Sequence, residues 1–118
     1  MTNRKFMFVF LITVTGSGVL LPSFPFAAEK AATVYKDLCA SCHGPKGKGD
    51  GPAAAALNPK PEDFCKSKKH PTDADKYKMI AEGGASMGHS PGMIGFQGAL
   101  DQQMIKDLVA YIGSFCKK

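Results

Sequence analysis

Tryptophan is missing from this chain, as are internal repeats and any nucleic-acid-binding signature. Without a repeat, 118 residues make one small domain and not a stacked array. Nor is there an apolar run long enough to cross a membrane. The longest, residues 6–21, has 16 residues where a spanning helix takes about 20. Strong charge asymmetry is absent too. Two of the 15 Lys and Arg are Arg4 and Lys5, which leaves 13 against 10 Asp and Glu over the rest, net +3, and such a balance selects no polyanionic partner. Paired carboxylates and an activated nucleophile are also lacking, so nothing marks a catalytic centre and the chain reads as a non-enzyme.

Residues 1–28 read as an export signal ahead of a domain at 29–118. Arg4 and Lys5 give the positive start and residues 6–21 the apolar stretch, which Gly16, Gly18, Pro22 and Pro25 break up towards its end. Ala27 and Ala28 are small enough to precede a cut; retention as an N-terminal anchor is the alternative. Either way the domain is exported, to the periplasm, an oxidising compartment that suits its cysteines.

What stands out in the domain is Cys39-Ala40-Ser41-Cys42-His43. Two cysteines separated by two residues, with a histidine directly after the second, is the spacing used to attach a c-type haem. Each thiol adds across a vinyl group to form a thioether, and the adjacent imidazole becomes an axial iron ligand. At three-residue spacing Cys39 and Cys42 share one side of a helical turn. A zinc half-site would need two further ligands, and Cys65 and Cys116 are distant in sequence. A thioredoxin-like pair would follow a strand, and none precedes Cys39. A domain of this size buries a modest fraction of its surface, so one covalently held haem also supplies missing apolar interior.

Around this motif the pattern is helical. Ala31, Val34, Tyr35 and Leu38 form a three-and-four-residue stripe that predicts a helix over 30–42. Residues 44–61 are rich in Gly and Pro and read as a loop that wraps past the haem edge, with a helical turn at 53–57 presenting Leu57. They do not end in the Gly-Lys-Ser/Thr of a phosphate loop. Lys66, Lys68, Lys69 and His70 form a basic turn, either simply solvated or a docking patch for an acidic redox partner. A second helix is expected at 73–82, stopped by Gly83-Gly84, with Tyr77, Ile80 and Ala81 facing inward. The last helix, 102 to about 115, has Asp101 as N-cap, Leu100 to staple on Ile105, and an apolar face of Leu108, Val109 and Ile112. Between these helices, residues 84–98 read as a loop holding three candidate sixth ligands: Met87, His89 and Met93. Histidine with methionine gives a higher reduction potential than two histidines. Spacing does not choose among them.

Taken in order, Cys39-Ala40-Ser41-Cys42-His43-Gly44 after Val34-Tyr35, the glycines at 47, 49 and 51, Ser90-Pro91-Gly92-Met93-Ile94-Gly95-Phe96 and Ile105-Lys106-Asp107-Leu108-Val109-Ala110-Tyr111-Ile112 resemble a bacterial class I mono-haem cytochrome c. The resemblance implies an all-α fold of about three to four helices around one low-spin haem, acting as a monomeric electron carrier between donor and acceptor redox proteins. It implies haem attachment at Cys39 and Cys42, His43 as proximal ligand and Met93, followed by an aromatic at Phe96, as distal ligand. Ile94 departs from the proline common at that place. The resemblance also implies that the last helix crosses the first near Tyr35, and that a proline carbonyl, from Pro52, Pro59 or Pro61, orients His43.

Cys65 and Cys116 are left over. In an oxidising compartment they suggest an internal disulfide, about 4 kcal/mol of stabilisation on the chain-entropy view, with intermolecular pairing or free thiols as alternatives. The functional reading is a periplasmic one-electron carrier. Its rivals are a haem-based sensor or small-ligand binder with a labile sixth ligand, and a fixed relay subunit of a larger oxidoreductase.

Overall fold

The computed structural model describes residues 26–69 and 71–117. The export signal therefore lies outside the described residues except for its last three, as does His70 of the basic turn.

Four α-helices carry the fold: α1 (Phe26–Leu38), α2 (Ala40–His43), α3 (Asp73–Glu82) and α4 (Gln102–Ser114). Single 3₁₀ turns lie at Ala54–Ala56 and Gly84–Met87, and no strand occurs among the described residues. α4 packs across α1 on one side and against α3 on the other. Its spacing explains both contacts. Met104 and Leu108 join Ala31 and Tyr35 of α1 in one buried cluster, flanked by Val34, Tyr111, Ile112 and Phe115. Ile105 and Val109, one position further round, are buried outside that cluster, and Val109 lines the groove that α4 forms with Tyr77 of α3.

The ends of α3 and α4 follow from local chemistry. Thr72 caps α3 through a reciprocal pair: its hydroxyl accepts from the Asp75 N–H at 3.1 Å, and the Asp75 carboxylate accepts from the Thr72 N–H at 2.9 Å. Gly83, at φ +90°, ends the helix. The Asp101 carboxylate accepts from the Met104 N–H at 2.7 Å, leaving α4 with the N-terminus its sequence predicts.

The first helix differs from expectation. A single helix over 30–42 is replaced by α1, an interruption at Cys39, and the short α2. Leu38, expected in the apolar stripe, is 44% exposed because α1 ends there and the chain turns away. The loop at 84–98 also gains an unforeseen 3₁₀ turn, where Gly83 and Gly84 let the chain fold tightly back over the end of α3.

Candidate functional site

Cys39 sits between two helices at φ −117°, ψ −38°. Its N–H donates to the Tyr35 carbonyl (2.9 Å) and its carbonyl accepts from the His43 N–H (2.9 Å). The turn carrying Cys39, Cys42 and His43 is therefore bonded to α1 but steps out of its line. Next door, the Tyr35 hydroxyl donates to the Gly44 carbonyl across 2.7 Å in a buried site, fixing the residue after His43 to the core. Burial pushes that phenol well above its usual range.

Both thiols are free and half-buried. Burial, reinforced by the neighbouring Cys42, pushes Cys39 up to about 11. A thiol-disulfide redox pair needs the opposite shift, towards a reactive thiolate. Zinc is no better served, because Cys65 and Cys116 are bonded to each other, and no group of three or more His, Cys, Asp or Glu among the described residues is placed to hold a metal.

Burial lowers the pKa of His43, leaving a neutral imidazole with a lone pair free for a metal. Its Nδ1 is buried and has no hydrogen-bond partner. None of Pro52, Pro59 and Pro61 accepts from it. The Pro61 carbonyl lies instead against Gly49, where a β-carbon would run into it. What His43 meets is the Phe64 ring, 4.9 Å away and tilted by 36°.

Met93 belongs to a different part of the structure. Its carbonyl accepts from the Gly84 N–H (2.8 Å), and just beyond it the Phe96 and Gln97 N–H groups donate to Ile80 and Ala81 of α3 (2.9 and 3.1 Å). A β-carbon on Gly83 would sit 2.8 Å from the Met93 carbonyl oxygen, so this clamp requires glycine. Met87 lies at the end of the 3₁₀ turn, and the His89 N–H donates to the Gly84 carbonyl (2.9 Å). Leu57 connects the two regions: a β-carbon on Gly92 would lie 3.3 Å from its Cδ2.

The donor chemistry fits a thioether-linked iron porphyrin: two free thiols and an imidazole on one bonded turn, with methionine thioethers in a separate glycine-clamped loop. The orphaned Nδ1 fits as well, since it is the nitrogen a histidine keeps protonated when its other nitrogen binds a metal. Fold and site thus define a small helical protein built to hold haem covalently. The chain belongs to the cytochrome c family, whose model, described as Cytochrome c, matches residues 28–115. It is a class I member, and its cofactor is the family's covalently bound c-type haem. Among solved structures it is similar to a chain of the Kuenenia stuttgartiensis reducing HAO-like protein complex Kustc0457/Kustc0458, at 26% identity and a TM-score of 0.63. That match covers 85% of this chain and 48% of the other, so this chain spans about half its length. No curated protein matches it.

The residue sequence reasoning missed is Phe64. It lies in an irregular segment with no periodic signal, and only its neighbour Cys65 hinted that this segment is anchored. Cys65 and Cys116 are joined by a disulfide, with Cα atoms 5.3 Å apart and a sequence separation of 51.

Proposed function

We propose that this chain is an exported, periplasmic carrier of single electrons, with haem linked through Cys39 and Cys42 and iron held axially by His43 and Met93. The observation that carries the reading is the 39–43 turn, where a half-buried imidazole with a buried, unpartnered Nδ1 directly follows two free thiols. When bound, the haem supplies a one-electron Fe(III)/Fe(II) couple. The protein's own part is to hold both ligands through the change of oxidation state. Tyr35 and Phe64 fix the His43 side, and the backbone clamp on α3 fixes the Met93 side. Met93 is favoured over Met87 and His89 because its own carbonyl accepts from the Gly84 N–H and the residues that follow it, Phe96 and Gln97, donate to Ile80 and Ala81 of α3.

Export is supported by the first 28 residues together with α1. Phe26 is 78% exposed and the first buried residue of α1 is Ala31, so a cut after Ala28 removes nothing from the core. Among the described residues no helix is long and apolar enough to cross a membrane.

The test combines mass spectrometry of exported protein with a redox titration of wild type and Met93→Ala. The expected results are a chain beginning at Glu29 that carries one haem, and a Met93→Ala variant with a lower midpoint potential and without the methionine-to-iron charge-transfer band. An unchanged spectrum in that variant would reassign the ligand to His89 or Met87.

A second reading, a relay subunit within a larger assembly, is favoured by one observation. The similar chain belongs to a protein complex and is about twice as long as this one. Stable co-purification with an oxidoreductase supports the relay, whereas salt-sensitive exchange with several partners supports a diffusing carrier.

A further inference from the structure

The two bridged cysteines each follow an aromatic residue, and both aromatics point to the same place. Phe64 packs on His43 at 4.9 Å. Phe115 packs edge-on against Tyr35 and Tyr111, with centroids 5.2 and 5.0 Å away. The rings meet at Gly47, where φ is +65° and a β-carbon would lie 2.7 Å from Phe64 Cε2 and 3.1 Å from Phe115 Cδ2. The space of one missing side chain is thus filled from two directions. One ring is tied to the helical core and the other to the iron-ligand histidine.

Without the bridge, little would hold Phe64 there. From residue 59 to 69 the chain has no regular structure, and its one hydrogen bond to the rest of the described residues is from the Phe64 N–H to the Gly47 carbonyl (2.8 Å). The other bonds are internal to the segment: Lys66 N–H to the Asp63 carbonyl, Cys65 N–H to the Asp63 side chain, Ser67 to Glu62, and a Lys66–Asp63 ion pair at 3.7 Å, exposed on its lysine side, that contributes little. His43 depends on Phe64 in turn. A metal-bound histidine is ordinarily oriented by an acceptor for its second N–H, and here Nδ1 has none.

We infer that the Cys65–Cys116 disulfide, by anchoring Phe64 between Gly47 and His43, is the positioning device of the proximal histidine. Phe64 is the positioning residue. A dry aromatic wall takes the place of a hydrogen-bond acceptor, fixing the ring by packing and keeping water from Nδ1. The electronic consequence has a definite sign. A hydrogen bond accepted from Nδ1–H raises the basicity of the ligating nitrogen and so favours Fe(III). Excluding such a partner favours Fe(II) and holds the potential up. This inference rests on the proposed role of His43 as axial ligand.

The test uses the haem-loaded protein in two variants. Cys65→Ala with Cys116→Ala removes the bridge, and Phe64→Ala removes the wall while leaving the bridge in place. Both are expected to shift the Fe(III)/Fe(II) equilibrium about tenfold towards ferric, ~59 mV in midpoint potential. In the reduced, diamagnetic state both should also speed exchange of the His43 Nδ1 proton with solvent, measured by NMR. If the cysteine variant does not fold, Phe64→Ala carries the same two readouts. A lower melting temperature with unchanged potential and unchanged proton exchange would overturn the inference, leaving the bridge as a staple only. Loss of the covalent haem from wild type would instead overturn the proposed function, so the two failures are told apart by mass.

Discussion

The two halves of the proposed site are held by different means. Around His43 the fixing groups are side chains: the Phe64 ring, the Tyr35 hydroxyl on Gly44, and a disulfide beyond them. Around Met93 they are backbone groups, with Gly83 and Gly84 packed against the Met93 carbonyl and α3 accepting from residues 96 and 97. Charge divides the same way. From 83 to 100 there is no Asp, Glu, Lys or Arg, and Ile94, next to Met93, is 63% exposed. The segment from 59 to 69 carries Lys60, Lys66, Lys68 and Lys69. Side-chain fixing tolerates no loss of the side chain, whereas backbone fixing tolerates none gained. The halves should therefore fail under opposite kinds of substitution.

The largest effect is expected where the comparison loses its subject. With Cys39→Ser and Cys42→Ser together, exported protein should lack the haem mass and lose cooperative melting, because only eight hydrophobic residues among those described are buried. Circular dichroism with mass spectrometry checks both. Next is a gain of one carbon on the Met93 side. Gly83→Ala puts a β-carbon at φ +90° and 2.8 Å from the Met93 carbonyl. It should cost about 1–3 kcal/mol in a urea titration. It should also weaken the methionine-to-iron band while leaving the His43 side intact. The reciprocal change removes one oxygen from the His43 side. Tyr35→Phe removes the shorter of the two hydrogen bonds that the buried Gly44 carbonyl accepts, leaving the one from the Gly47 N–H at 3.2 Å, and should cost about 0.5–1.5 kcal/mol with the methionine band unchanged. If both variants perturb the same spectral features, the two halves are not independent.

The smallest effect lies at the cap of α3, away from both. Hydrogen bonds from the Thr72 side chain and backbone hold the Asp75 carboxyl below the usual carboxylate range. A lowered folded value means the capping contribution is complete above the ordinary carboxylate range and is lost as pH falls through Asp75's own value. Asp75→Asn should therefore be slightly less stable at neutral pH and converge with wild type in acid, as followed by urea midpoints across pH.

α3 and α4 were legible from sequence because their limits are written in adjacent residues. Gly83 as a stop and Asp101 as a cap each act over three or four positions, and the observed bounds Asp73–Glu82 and Gln102–Ser114 agree with them, while the Thr72–Asp75 cap that starts α3 came to light only in the structure. The interruption at Cys39 was not legible. The apolar stripe runs through it without a Gly or Pro, and only the departure of the chain towards Gly44 and Tyr35 explains it. The 39–43 turn announces itself by spacing, whereas Phe64 has no comparable signal. Its position depends on Gly47 and on a cysteine at the far end of the chain, neither of which is local. The proline carbonyl expected to orient His43 came from resemblance alone, and the orphaned Nδ1 departs from it.

The Cys65–Cys116 link closes a covalent ring that contains α3, the Met93 loop and α4 but not His43. A protease that nicks the exposed loop near Ile94 would consequently yield two fragments still riveted together by sulfur. The severed molecule would migrate as one species until a thiol reagent was added, with Met93 and His43 never leaving the same particle.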